Sequence, residues 1–223
     1  MNFNKVSAAG LIVALGIIYG DIGTSPLYVF NAIISDRMIT EGLIIGTLSC
    51  IIWTITLQTT IKYVWLVLQA DNRGEGGTFA LYALVRRNKK WLVVPAMIGG
   101  AALLADGMIT PPISITSAVE GLRKLPAFGN IDQYIVYIVI IILTLFFFLQ
   151  QFGTASIGKF FGPIMMVWFG MLAILGIIHL SDDFSIIKAL NPYYAVEFLN
   201  RYPKALWLLG AVFLCTTGAE ALY

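Results

Sequence analysis

Gly20-Asp21-Ile22-Gly23-Thr24-Ser25-Pro26 lies in the middle of a run of mostly apolar residues from about Val6 to Ser35, and Asp21 is the only charge in that run. As one continuous helix the run would be about 45 Å long at 1.5 Å per residue, against a bilayer core of roughly 30 Å. Two glycines, a proline and three side chains able to cap give it reason to break near residues 20–25. Ser25 followed by Pro26 suits the start of a second half-helix, with serine as N-cap and proline at the first helical position. The backbone from Gly20 to Thr24 would then carry carbonyls without helical donors, which a bilayer tolerates only where protein or a polar cavity takes them up. Carbonyl oxygens beside one carboxylate can replace the hydration shell of a hard monovalent cation, and interrupted helices near the midplane are how secondary transporters build such sites. Asp21 therefore reads as a cation ligand. The plainer alternative, a local helix cap, would leave an acidic group deep in the membrane without a function.

The composition agrees with a lipid setting. Of 223 residues, 59% are hydrophobic and only 12% charged, with a mean hydropathy of +0.86. A soluble domain carries roughly a quarter charged residues, so lipid must solvate much of this surface. A net charge of +2 gives no reason to expect a nucleic-acid partner. Cys50 and Cys215 stand in apolar runs, which offers no disulfide framework, and the single histidine, His179, argues against a zinc or copper centre. No nucleophile–base pair is evident, so neither an enzyme nor a cofactor is expected. The glycine-rich segment Asn72 to Thr78 lacks the Gly-Lys-Ser/Thr ending of a phosphate loop and reads as a turn entering a helix.

Six stretches approach the length of about 20 residues that a crossing needs. They run over about 6–35 (broken at 20–25), 42–69, 91–122, 134–150, 160–180 and 202–223. The sequence thus predicts an all-α polytopic membrane protein. The sixth stretch is still running at Tyr223 without a cap or charged flank, so the chain reads as the N-terminal part of a larger transmembrane domain. The cluster Arg86-Arg87-Asn88-Lys89-Lys90, just before a span, favours a cytoplasmic N-terminus. On that orientation the segment between the fifth and sixth spans, with Asp182, Asp183 and Asn191-Pro192, reads as an exposed outer loop with a short surface helix. Lys62 reads as snorkelling to the inner face.

In the third stretch Asp106, Thr110 and Ser114 recur every four residues and share one helix face. Pro111-Pro112 is expected to distort that helix and free further carbonyls. Thr110 is favoured for binding; for Ser114 binding and interhelical packing stay equally open. Glu120 lies about 21 Å beyond Asp106 along a helix, near a membrane edge, where solvation beside Arg123 and Lys124 is the plain reading.

Five segments together resemble the Kup/HAK/KT family of potassium transporters: Gly20-Asp21-Ile22-Gly23-Thr24-Ser25-Pro26-Leu27-Tyr28; Asp71-Asn72-Arg73-Gly74-Glu75-Gly76-Gly77-Thr78; Ala105-Asp106-Gly107-Met108-Ile109-Thr110-Pro111 through Ser117-Ala118-Val119-Glu120-Gly121-Leu122; Gly153-Thr154 through Gly158-Lys159-Phe160-Phe161-Gly162-Pro163-Ile164-Met165; and Thr217-Gly218-Ala219-Glu220-Ala221-Leu222-Tyr223. They occur in this order over almost the whole chain.

The resemblance implies a LeuT-like inverted-repeat transporter core, of which spans one to five form the first repeat. The sixth span would open the second repeat and break near Thr216-Thr217-Gly218. It implies potassium held by Asp21, Tyr28, Thr110 and Ser114, with Asp106, Glu120, Thr216, Thr217 and Glu220 as further cation-binding or proton-coupling residues and Glu120 also as an outer gate. The implied activity is potassium uptake across the plasma membrane, with the proton as coupling ion and no cofactor. The implied partners are membrane lipid, the second repeat and C-terminal region of the transporter, and a second copy in a homodimer. Two other readings stand beside it. One is an amino-acid carrier of the same superfamily, against which Asp21 argues; the other is a truncated, non-transporting membrane fragment. A potassium channel is disfavoured, since no Thr-Val-Gly-Tyr-Gly filter occurs.

Overall fold

The computed structural model describes residues 8–34, 38–69, 76–126, 131–151, 154–202 and 205–219. Among the described residues all regular structure is helical. Five helices are long and apolar enough to cross a bilayer: Gly10–Ile34, Glu41–Leu66, Lys90–Gly121, Ile131–Gln150 and Phe160–Leu180. The chain is an all-α, multi-pass membrane protein. Its polarity is arranged accordingly: Leu104, Ile141, Phe148 and Val167 are exposed, while Ser25, Thr47, Ser49 and Thr110 are buried. With lipid outside, small and polar residues gather where helices meet, because close fit and hydrogen bonds, not expulsion of water, hold such helices together.

The chain forms two compact units, Met1–Gln69 with Gly158–Tyr223, and Ala70–Ile157. The first contains α1 (Ala8–Ile22) and α2 (Ser25–Ile34), separated by a turn at Gly23–Thr24. Next comes α3 (Glu41–Ile55), which Thr40 caps through a hydrogen bond from the Leu43 amide. The helix then widens into a π-helix over Thr56–Leu66; no residue pattern announces this widening. At that end Lys62 Nζ lies 5.1 Å from the centre of the Tyr63 ring, a cation–π contact. Most of α7 (Thr154–Leu180) follows, then α8 (Pro192–Arg201) and α9 (Ala205–Phe213). Helices α1 and α7 cross at Gly16 and Gly162, where a Cβ on either residue would overlap the backbone of the other helix. A buried cluster of Val29, Ile33, Leu43, Ile51, Phe198 and Val212 joins α2, α3, α8 and α9.

The connection between α7 and α9 is largely exposed and carries a short helix, as expected, but it also packs on α3. A 3-10 segment, Phe184–Leu190, leads into α8, and both dock along α3. Ser49 Oγ donates to the Asn191 carbonyl (3.0 Å), and Trp53 Nε1 to the Leu190 carbonyl (3.1 Å). Phe198 closes over Gly46, where an added Cβ would stand 2.7 Å from the Phe198 Cβ. A sequence reading that scores only polarity misses this, because α8 contributes a single buried side chain, Phe198, amid tyrosines and charges.

The second unit contains α4 (Gly77–Asn88), α5 (Val93–Gly121) and α6 (Ile135–Gln150). Its buried cluster of Val119, Ile131, Ile135 and Val139 joins α5 to α6. Helix α5 runs through Pro111-Pro112 as a continuous helix, where distortion was expected. The missing N–H groups still deprive the Gly107 and Met108 carbonyls of their helical donors.

Candidate functional site

In the first unit the α1–α2 turn is held by short local bonds. Gly23 N donates to the Tyr19 carbonyl (2.8 Å) and Thr24 N to that of Asp21 (3.1 Å). The Thr24 hydroxyl lies 3.2 Å from both the Gly20 and the Asp21 carbonyl. Thr24 thus closes the end of α1, and Ser25, expected as the cap of the second half-helix, is the first residue of α2. Ser25 is fully buried and accepts a hydrogen bond from the Tyr28 hydroxyl at 3.1 Å. Pro26 withholds the N–H that the Ile22 carbonyl would receive in an unbroken helix.

Trp168 on α7 supplies a donor that sequence reasoning missed. Its indole N–H donates to the Gly23 carbonyl at 3.2 Å, so one carbonyl that the break would leave to lipid is taken up by protein. Beside it, a Cβ on Gly23 would stand 2.6 Å from Phe169 Cζ. The glycine allows α7 to lie directly on the turn.

A second break faces the first. Helix α9 tightens into a 3-10 turn over Leu214–Thr216 and ends at Thr217–Gly218, with Gly218 at φ +91°. A Cβ on Gly218 would lie 2.6 Å from Asp21 Cβ and 3.5 Å from Ile22 N. The two interruptions therefore meet, with the Asp21 side chain between them. Thr217 is buried, and its N–H returns to the Leu214 carbonyl (3.2 Å); the Thr216 hydroxyl is turned back onto the Phe213 carbonyl (2.7 Å). Glu220, named from the sequence, lies outside the described residues, as do residues 71–75, 153 and 221–223 of the quoted segments.

In the second unit the shared face of α5 carries a short polar row. The Thr110 hydroxyl, on a residue only 4% exposed, donates to Asp106 Oδ1 at 3.2 Å. One turn further, Ser114 Oγ is buried and has no hydrogen-bond partner among the described residues. Carboxylate, hydroxyls and the carbonyls that Pro111 and Pro112 release are all oxygen donors of the kind a hard monovalent cation accepts. At the end of α5, Glu120 pairs with Arg123 (3.5 Å), which also binds Asp132 before α6. These groups are roughly half exposed, and such pairs contribute little to stability. Glu120 is thus partly exposed and paired, which both the solvated and the gating reading allow.

Residues 8–223 match the family model described as the K+ potassium transporter integral membrane domain. The "Probable potassium transport system protein Kup" of Flavobacterium johnsoniae is 60% identical over 222 residues, 99% of this chain. The protein of the same description from Cytophaga hutchinsonii is 60% identical over 224 residues, 98% of this chain. The "Putative potassium transport system protein Kup 1" of Lactococcus lactis subsp. cremoris is 53% identical over 232 residues, covering the whole chain. The chain spans about a third of the length of these relatives: 34% of each. No solved structure matches.

Proposed function

We infer, from the fact that this chain belongs to the K+ potassium transporter integral membrane family, that it forms part of a secondary transporter carrying potassium into the cell across the plasma membrane. The observation that supports this best is the meeting of two helix interruptions around Asp21, at Gly23–Thr24 and at Thr217–Gly218. A dehydrated cation needs several oxygens at once, and two broken helices offer backbone carbonyls that no continuous helix can spare. The carboxylate supplies the compensating charge. The opposed breaks also support a LeuT-like core with this chain as its first repeat and the start of its second. Tyr28 would join Asp21 from α2, and Thr216, Thr217 and Glu220 would come from the other break.

On α5, in the second unit, Thr110 and Ser114 would be the cation-binding hydroxyls, with Asp106 held by Thr110. The partnerless buried Ser114 hydroxyl favours binding over mere helix packing, since an unsatisfied buried polar group costs about 1–3 kcal/mol. An inside-negative potential drives cation entry by about 2.3 kcal/mol per charge per 100 mV. A carboxylate that is protonated when the site is empty and ionised when it is filled would couple proton to potassium movement; Asp21 and Glu220 are the candidates. The exposed Arg86, Arg87, Lys89 and Lys90 at the α4–α5 junction support a cytoplasmic N-terminus.

The test is Asp21→Asn in the full-length transporter, expressed in cells lacking other potassium uptake and assayed with rubidium as tracer. We expect uptake to be lost at unchanged membrane abundance. Uptake equal to wild type would remove Asp21 from the site.

A further inference from the structure

The 20 residues 42–61 between Glu41 and Lys62 carry no charge. At 1.5 Å per residue they measure about 30 Å, the thickness of one hydrocarbon core. Glu41 therefore marks one edge of the membrane, and positions along α3 can be read as depth. Ser49, eight residues on, lies about 12 Å below that edge.

The α7–α9 connection is tied to α3 at this depth. Asn191 and Leu190 accept from Ser49 and Trp53, and the Cys50 thiol lies 3.8 Å from the Ala195 carbonyl. From there α8 climbs back antiparallel to α3: Phe198 lies on Gly46, and Arg201 reaches Gly42. We propose that residues 184–201 form a re-entrant hairpin that dips into one leaflet with its tip at Asn191–Pro192 and lays its outward apolar face against lipid acyl chains.

Three features fit lipid better than water as the occupant of that face. The tip closes the backbone groups that a turn would otherwise expose. The Asn191 side chain accepts from Tyr193 N (3.0 Å), Asn191 N donates to the Lys188 carbonyl (3.0 Å), and Pro192 has no N–H to satisfy. Backbone at membrane depth must be satisfied by protein, and at this tip it is. The charged side chains return to the edge. Lys188 extends to Glu41 (3.4 Å), and with Glu197 and Arg201 they surround a cavity of about 180 Å³ at the Glu41 level, as snorkelling side chains do. The apolar residues Phe184, Ile187, Leu190, Tyr193 and Val196 are each between 46% and 64% exposed.

The hairpin rests on the crossing of the membrane by α3 and not on what the protein carries, so it stands or falls apart from potassium transport. In the full-length transporter, freed of other reactive cysteines and reconstituted in bilayers, spin labels at Ile187→Cys, Tyr193→Cys and Asp183→Cys report collisions with oxygen and with a water-soluble nickel chelate. We expect oxygen to dominate several-fold at 187 and 193, with the order reversed at 183. Nickel access at 187 and 193 equal to that at 183 would make the segment an aqueous loop. Protection from both reagents would mean that protein, either the rest of the transporter or a second copy, covers the face; either result overturns the hairpin in lipid. Hydroxyl-radical labelling of the unsubstituted protein gives a second measure. Tyr193 should stay unmodified while Met38, 91% exposed beside the α3 cap, is oxidised, and equal rates at the two would also overturn it.

Discussion

At the scale of single residues, Asp21 and Gly218 define the site between them. Gly218 holds a left-handed φ that L side chains adopt only at a cost of roughly 1–2 kcal/mol, and its missing Cβ is the space in which Asp21 sits. Gly218→Ala should therefore lower the midpoint of thermal unfolding in detergent and abolish rubidium uptake together. Full uptake by that variant would separate the second break from the site. Asp21 was legible in the sequence because a carboxylate amid apolar residues is costly in a membrane, and the glycines and proline beside it mark where the helix opens around it. Trp168 was not. Its role depends on one indole N–H reaching a carbonyl 145 residues away, and no local pattern distinguishes it from an interfacial tryptophan.

At the scale of elements, helix breaks are written locally and helix docking is not. The α1–α2 break follows from Gly23, Thr24 and Pro26, each acting on its own neighbourhood. The attachment of α8 to α3 follows instead from complementary shape: a glycine in one helix and a phenylalanine in the other. Phe198, 2% exposed, is the anchor. Phe198→Ala should cost about 3–5 kcal/mol in unfolding free energy through the cavity it leaves, measured by denaturant titration of the detergent-solubilised protein. A loss below about 1 kcal/mol would mean that α8 is a loose surface helix after all. The π-helical stretch over Thr56–Leu66 and the unbroken course of α5 through Pro111-Pro112 were likewise beyond local reading. Both depend on which carbonyls find other partners, and neighbouring elements decide that.

At the scale of the molecule, the chain brings two of the interrupted helices together yet spans about a third of its relatives' length. On the function proposed above, access alternates by moving one repeat against the other, so this chain would provide ligands but not the alternation. The 223 residues expressed alone should insert in the membrane and give no rubidium uptake above background, while a relative of full length restores it in the same cells. Uptake by the short chain would show that the opposed breaks suffice. Amino-acid composition and hydrophobic run length determined membrane residence and helical class without any tertiary information, because the thickness of the bilayer and the demand for internal backbone hydrogen bonds act on each span separately. The break at Asp21 was determined in the same local way. Only the tertiary structure decided what faces that break, since the approach of Gly218, the donor from Trp168 and the depth of the 184–201 segment are set by contacts between residues far apart in the chain.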